Sequence, residues 1–194
     1  RKRKINPLLE KIVLEDQDGT KVPFTSFFKG KVTVVSFFYT RCISINKCSL
    51  TVGNTGRLAK SLIEKNLAES VNIALITYDP IYDLPDRIKV YGENRRCEFT
   101  DSFKGFRVSA DDYELLKEHF KLEVGYSTSV VNQHQVETYL LDHTGKVNNL
   151  FSRIQWNEAE IMEQIEILNN ERASNVFMRL KKSLQSLRLQ YKKR

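Results

Sequence analysis

Two apolar runs constrain this chain more than any other feature. VTVVSFF (32–38) and VNIALITY (71–78) contain no charged residue and only small or neutral polar ones among their apolar majority. Strands buried on one face alternate, whereas strands buried on both faces read as continuous apolar runs, which is the pattern of a parallel pair in a covered sheet. Between them, SLTVGNTGRLAKSLIEKNL (49–67) carries apolar residues near helical spacing, with Leu58, Leu62 and Leu67 inward, although Gly53 and Gly56 weaken its first turns. Strand, crossover helix and parallel strand then follow in order. With 194 residues and 41% hydrophobic content, the chain can bury one sizeable core.

The remaining segments extend that unit. KIVLEDQDGTKV (11–22) predicts a β-hairpin turning at Asp18-Gly19, and DPIYDLP (79–85) a turn leading into a short helix near Asp86. DDYELLKEHF (111–120) predicts a helix, and VETYLLD with KVNNLF an antiparallel hairpin joined by DHTG. A last helix starts at a capping Asn157, and its apolar stripe runs through Ile161, Ile165, Leu168, Val176, Leu180, Leu184, Leu187 and Tyr191. The order β, α, β, α, β, β, α predicts an α/β, thioredoxin-like mixed sheet flanked by helices, with an N-terminal β-hairpin and a long C-terminal helix. We divide the chain into a basic arm (1–10), the domain (11–169) and a basic amphipathic extension (170–194).

Charge is distributed accordingly. Arg1–Lys4 carry +4 and residues 170–194 carry +7, which against the total of +7 leaves −4 for residues 5–169. A nucleic-acid-binding domain would carry its positive charge on a folded face, so no nucleic-acid partner is expected. The extension is suited to an anionic membrane surface or to packing on another protomer. No run reaches the ~18 apolar residues of a membrane span. The chain begins at Arg1 without a methionine, as it would after removal of a leader or anchor.

The chemistry concentrates in SFFYTRCISINKCSLT (36–51), where five residues separate Cys42 from Cys48. If that stretch were helical, six rises of ~1.5 Å would put the Cα atoms about 9 Å apart along the axis. A disulfide tolerates ~4.4–6.8 Å. For the thiols to meet, residues 43–47 must fold back as a loop, with a helix starting near Cys48 or Ser49. A helix N-terminus there is expected to favour a thiolate. A redox couple, a metal clamp and a structural bridge all remain open on this reading. Cys97 beside two arginines reads as a small buried hydrophobe, and His119 and His143 as structural or solvent-facing.

Four stretches together resemble the Sco/SenC family of thioredoxin-like, copper-handling proteins: EDQDGTKV followed by FKGKVTVVSFFYTRC; NKCSLT; ITYDPIYDLPDRIKVYG; and HQVETYLLDHTGKV. The resemblance spans about residues 14–151 and implies copper bound by two loop cysteines and a distal histidine. The family's histidine lies five residues before the Tyr of the YLLD strand, and His134 stands there relative to Tyr139. By that correspondence Cys42, Cys48 and His134 are the expected ligands. The family's usual loop has three residues between its cysteines and a proline after each; here there are five, with Ile43 and Ser49 in the proline places. Two thiolates and an imidazole suit Cu(I) better than structural zinc, and Cu(II) could use the same site with an added ligand. Asp79 and Asp83, in the stretch that matches the family's DP motif, are candidates for supporting the ligands or contacting a partner, and Asp79-Pro80 is also an ordinary turn signal.

The resemblance implies a copper chaperone for the copper site of a respiratory cytochrome oxidase. The partners would be the oxidase's copper-site subunit or other copper-assembly proteins. The compartment would be the periplasm, with or without an anchor, or the mitochondrial intermembrane space. A thiol:disulfide oxidoreductase using Cys42 and Cys48 is the enzymatic alternative, and a redox or copper sensor signalling through the last helix is a third. General thioredoxin-like reductases place a cis-proline just before the strand that His134 precedes. Here all four prolines, Pro7, Pro23, Pro80 and Pro85, lie upstream.

Overall fold

A computed structural model describes residues 7–127, 130–152 and 157–191. The basic stretch Arg1–Lys4 lies outside them. A turn of 3₁₀ helix at Pro7–Lys11 seats Leu9 in the core, so the folded body reaches back into the stretch assigned to the arm. β1 (Val13–Asp16) and β2 (Lys21–Pro23) form the expected hairpin. Gly19 adopts φ +79° in its turn, and Asp16 Oδ1 accepts the amides of Asp18 and Thr20. α1 (Phe24–Phe28) then leads into β3 (Val32–Phe38).

β3 and β4 (Val71–Thr77) are buried at every position and pair in parallel from Val32↔Val71 to Phe38↔Thr77. Their crossover is α2 (Leu50–Glu64), which packs on both. Leu67 lies beyond the helix end but still packs against the core. α3 (Pro85–Glu93) begins with Pro85 in its first turn, and α4 (Ala110–Phe120) is capped by Ser109 Oγ, which accepts the Asp112 amide. β8 (Thr138–Leu141) and β9 (Val147–Phe151) form the second expected hairpin, and β8 lies antiparallel on β3 through Val35↔Tyr139. α5 (Glu158–Tyr191) starts after Asn157, whose side chain accepts the Ala159 amide, and runs unbroken past residue 170. Its Ile161, Ile165 and Leu168 are buried, completing the cover of the sheet.

The structure adds three strands to the sequence reading. β5 (Phe103–Arg107) sits between β4 and β1, so the seven-stranded mixed sheet has the order β2-β1-β5-β4-β3-β8-β9. β6 (Val124–Ser127) and β7 (Val130–His134) form a separate two-stranded ribbon. Gly105 explains how β5 escaped notice. A glycine weakens a strand pattern, yet here a Cβ would meet Ile88 Cγ2 at 2.5 Å, so the glycine permits α3 to lie close on the sheet. The architecture is a thioredoxin-like mixed sheet with flanking helices, and the carboxyl ends of parallel β3 and β4 open toward the cysteine loop.

Candidate metal centre

β3 ends at Phe38, and the chain turns at once, with the Cys42 amide donating to the Tyr39 carbonyl at 3.3 Å. Residues 45–49 form one wide helical turn of the π type that runs straight into α2. Such turns accommodate an extra residue within a helix. This is how a loop with five intervening residues folds back. Cys48 is buried in that turn, Cys42 is half-buried, and Ile43 and Ile45 project into solvent beside them. All three cysteines are free thiols.

His134, at the end of β7, reaches the same place from the other side. Its Nε2 lies 3.6 Å from Cys42 Sγ and 3.5 Å from Cys48 Sγ, and the three donor atoms lie within 4.8 Å of one another. The ring's Nδ1 is 2.8 Å from the Gln135 carbonyl oxygen. A carbonyl can only accept, so the proton sits on Nδ1 and the Nε2 lone pair faces the two sulfurs. The ring is held by Tyr39 and Tyr78, each with its centroid 5.3 Å away. The ribbon is fastened to the body by hydroxyls and one ammonium. Tyr39 donates to the Val131 carbonyl, Tyr78 to that of Gln135, Tyr126 to that of Tyr78, and Lys47 Nζ to that of His134. Burial raises the Tyr39 pKa to about 12 and that of Tyr78 well above its ordinary value, so both phenols keep the proton that they donate.

The two thiols are strongly unequal. The hydrogen bond from the Cys48 thiol is the main reason that the Cys42 pKa falls to about 3, and burial opposes it. The same bond, then burial, raises Cys48 far above an ordinary thiol. The pair therefore holds one proton across the neutral range, placed on Cys48. The sequence predicted a thiolate at this helix start without assigning it; here it falls on Cys42, and the cysteine inside the helical turn is the protonated one. A neighbouring thiol that can donate its proton acts at shorter range than the partial charge of a helix end. One test follows from the sign of the shift. Because Cys42 is a thiolate down to about pH 3, its alkylation by iodoacetamide should stay nearly constant from pH 8 to pH 5. An ordinary thiol would slow about a thousandfold over those three units. A steep decline, followed by mass spectrometry of the labelled peptide, would show that Cys42 lacks this stabilisation.

Asp79 and Asp83 touch neither sulfur nor the imidazole. Asp83 is fully buried and accepts the Thr40 amide at 3.1 Å and the hydroxyls of Thr40 and Thr77. It thus ties the exit of β4 to the residue two before Cys42. Asp79 pairs with Arg41 at 2.5 Å, and Arg41 lies over the Tyr82 ring, 4.0 Å from its centroid. Asp79 also shapes its own turn, its carbonyl accepting the Asp83 amide. Cys97 is buried apart from the site with its thiol toward the Val52 carbonyl, and His119 is buried edge-on to Phe120. Sequence reasoning missed the clamp formed by Tyr39, Tyr78, Tyr126 and Lys47. Its only signal was a tyrosine at the end of one central apolar run, Tyr78, and one directly after the other, Tyr39.

Fold and site define a class: a thioredoxin-like domain with two thiols and one imidazole converging at the carboxyl end of the central strands. The chain belongs to the SCO1/SenC family, whose model matches residues 3–170. Among solved structures it is similar to a SCO1/SenC family lipoprotein from Bacillus anthracis, at 25% identity, with 86% of this chain and 99% of that one covered and a TM-score of 0.72. It is also similar to BsSco, a Sco family cytochrome c oxidase assembly protein with a disulfide switch, at 24% identity, 84% and 96% coverage and a TM-score of 0.68. Bradyrhizobium japonicum ScoI, solved with copper bound, matches at 21% identity, 81% and 96% coverage and a TM-score of 0.61. No curated protein matches the sequence.

Proposed function

We propose that this chain binds copper through Cys42, Cys48 and His134 and carries it to the copper site of a respiratory cytochrome oxidase or to its assembly factors. The observation that carries the reading is the convergence of three soft or borderline donors within 4.8 Å, with the imidazole already in the ligating tautomer. One thiolate is already formed, and one further proton must leave Cys48 on binding. Three such donors satisfy Cu(I), whereas structural zinc would want a fourth. Among the described residues no other group of His, Cys, Asp and Glu converges in this way. Family membership supports the reading, as do the copper-bound relatives from Bradyrhizobium japonicum and Arabidopsis thaliana. The lipoprotein relative supports placing the domain on the outer face of a membrane.

One observation favours a second activity at the same residues. A Cys42 thiolate beside a protonated Cys48 is the polarity of an attacking and a resolving thiol. Cys42 would attack a partner's disulfide and expel one of its sulfurs as a thiolate. Cys48 would then lose its proton and displace the other, leaving a Cys42–Cys48 disulfide and a partner reduced by two electrons.

Anaerobic titration of the reduced protein with Cu(I) against a competing chelator separates the two. Copper carriage predicts about one tight Cu(I) per chain and, in His134→Ala, an affinity lower by roughly 10- to 100-fold. Thiol exchange predicts that the reduced protein reduces one substrate disulfide per chain, forming the Cys42–Cys48 disulfide, and that this reaction survives His134→Ala. Unchanged copper affinity in that variant would remove the histidine from the ligand set.

A further inference from the structure

The family match ends at residue 170, and α5 continues to Tyr191. The Bacillus anthracis relative is matched over 99% of its length while part of this chain stays uncovered. The second half of α5 is therefore an addition to a domain already complete, and its surface is of a different kind. Val176, Phe177 and Leu180 are 50%, 67% and 59% exposed, bordering an open groove beside Leu67 and Ala173. Projected from the sequence at about 100° per residue, Val176, Phe177, Leu180, Leu184, Leu187 and Tyr191 fall within one arc of roughly 100°. Arg172 and Arg179 fall just outside one edge of that arc, and Lys181 and Arg188 at the other edge. After Glu171 the chain contains no acidic residue, and Lys192, Lys193 and Arg194 follow the helix.

We infer that this half of α5 is a lipid-binding helix that lies along an anionic membrane surface. Basic residues on both shoulders of an apolar arc can send their charged ends up to the phosphates while the stripe enters the boundary of the acyl chains. Charge decides against the other occupants. A second copy packed on the same stripe would set arginine and lysine against arginine and lysine, with no carboxylate beyond Glu171 to pair them. A nucleic acid would satisfy the charge and leave the leucines uncovered. An anionic bilayer meets both faces of the pattern at once. The inference is independent of the metal site, because it rests on residues that do not contribute to it.

The test is co-sedimentation of the full chain with vesicles of phosphatidylcholine alone and of an equal mixture of phosphatidylglycerol and phosphatidylcholine. The expected result is at least about tenfold stronger partition onto the anionic vesicles, weakening as salt rises from about 0.1 M to about 1 M and screening shortens from ~10 Å to ~3 Å. Leu180→Glu combined with Leu184→Glu should abolish that partition, whereas Val90→Glu, at an exposed apolar position on α3, should leave it unchanged. Arg179→Gln with Lys181→Gln should weaken it several-fold on anionic vesicles. Partition retained in the double glutamate variant would place binding in Arg1–Lys4 and overturn the inference. Equal partition onto neutral vesicles, or none onto either, would overturn it as well. So would sedimentation equilibrium showing a dimer that the double glutamate variant dissociates.

Discussion

Replacing Cys48 with serine should lower the affinity for Cu(I) by roughly a hundredfold or more. Loss of a residue that merely orients a ligand costs about 10- to 100-fold in metal affinity, and loss of a ligand belongs at or beyond the top of that range. Serine also offers a hard, protonated oxygen where a soft thiolate is needed. Cys42→Ser should be equally damaging to copper and should remove the thiolate that iodoacetamide labels. The two variants nevertheless differ in one respect. With Cys42 gone, Cys48 loses the partner whose hydrogen bond is the largest cause of its raised pKa, so its remaining shift reflects burial. Cys97→Ser, remote from the site, should bind copper normally. Competition titration measures all three, and a Cys48→Ser protein with wild-type affinity would dismantle the proposed clamp.

Asp83→Ala should be the most destabilising single change near the site, at about 2–4 kcal/mol. The variant strands a partly buried amide and two hydroxyls that now share one carboxylate, and each unsatisfied buried donor costs on the order of 1–3 kcal/mol before the site relaxes. Asp83→Asn keeps an acceptor oxygen and should lose less than half as much. Burial, the largest influence on Asp83, raises its pKa above the ordinary 3.8 despite the hydrogen bonds that oppose the shift. The folded state therefore favours the protonated acid. Its contribution to stability is greatest below the ordinary value and is lost as pH rises through the raised one. Asp83→Asn should flatten that part of the stability curve, which urea melts at several pH values would reveal. Equal melts for wild type and Asp83→Ala would mean that Thr40 is positioned by other contacts.

What the sequence made legible, and what it hid, follows from where each residue finds its partner. β3 and β4 were readable because both faces are covered, which leaves an unbroken apolar run. β5 was not, because its polar positions are satisfied across the sheet: Lys104 pairs with Asp16 at 2.8 Å and Arg107 with Glu15 at 2.5 Å. Such pairs are long-range, and no local window contains them. Gly125 and the polar Gln133 obscured the β6–β7 ribbon in the same way. The need for residues 43–47 to fold back came from distance alone, but the wide turn that accomplishes it carries no composition signal. His134 was indicated only by family spacing to Tyr139. Which of the two thiols carries the charge was not legible, because it depends on a contact between side chains six positions apart.

The ribbon also bears on how long a bound ion would stay. Cys42 and Cys48 sit on the connection between β3 and α2, inside the main body, whereas His134 belongs to a two-stranded piece that shares no ladder with the seven-stranded sheet. Two strands alone are marginally stable, and this pair is latched by tyrosine hydroxyls and one lysine rather than by neighbouring strands. Its amides should accordingly exchange with solvent sooner than those of β3 and β4. Each such local opening would lower the coordination number from three to two while the core stayed folded. Affinity would then be set by the sulfurs, and residence time by the latch.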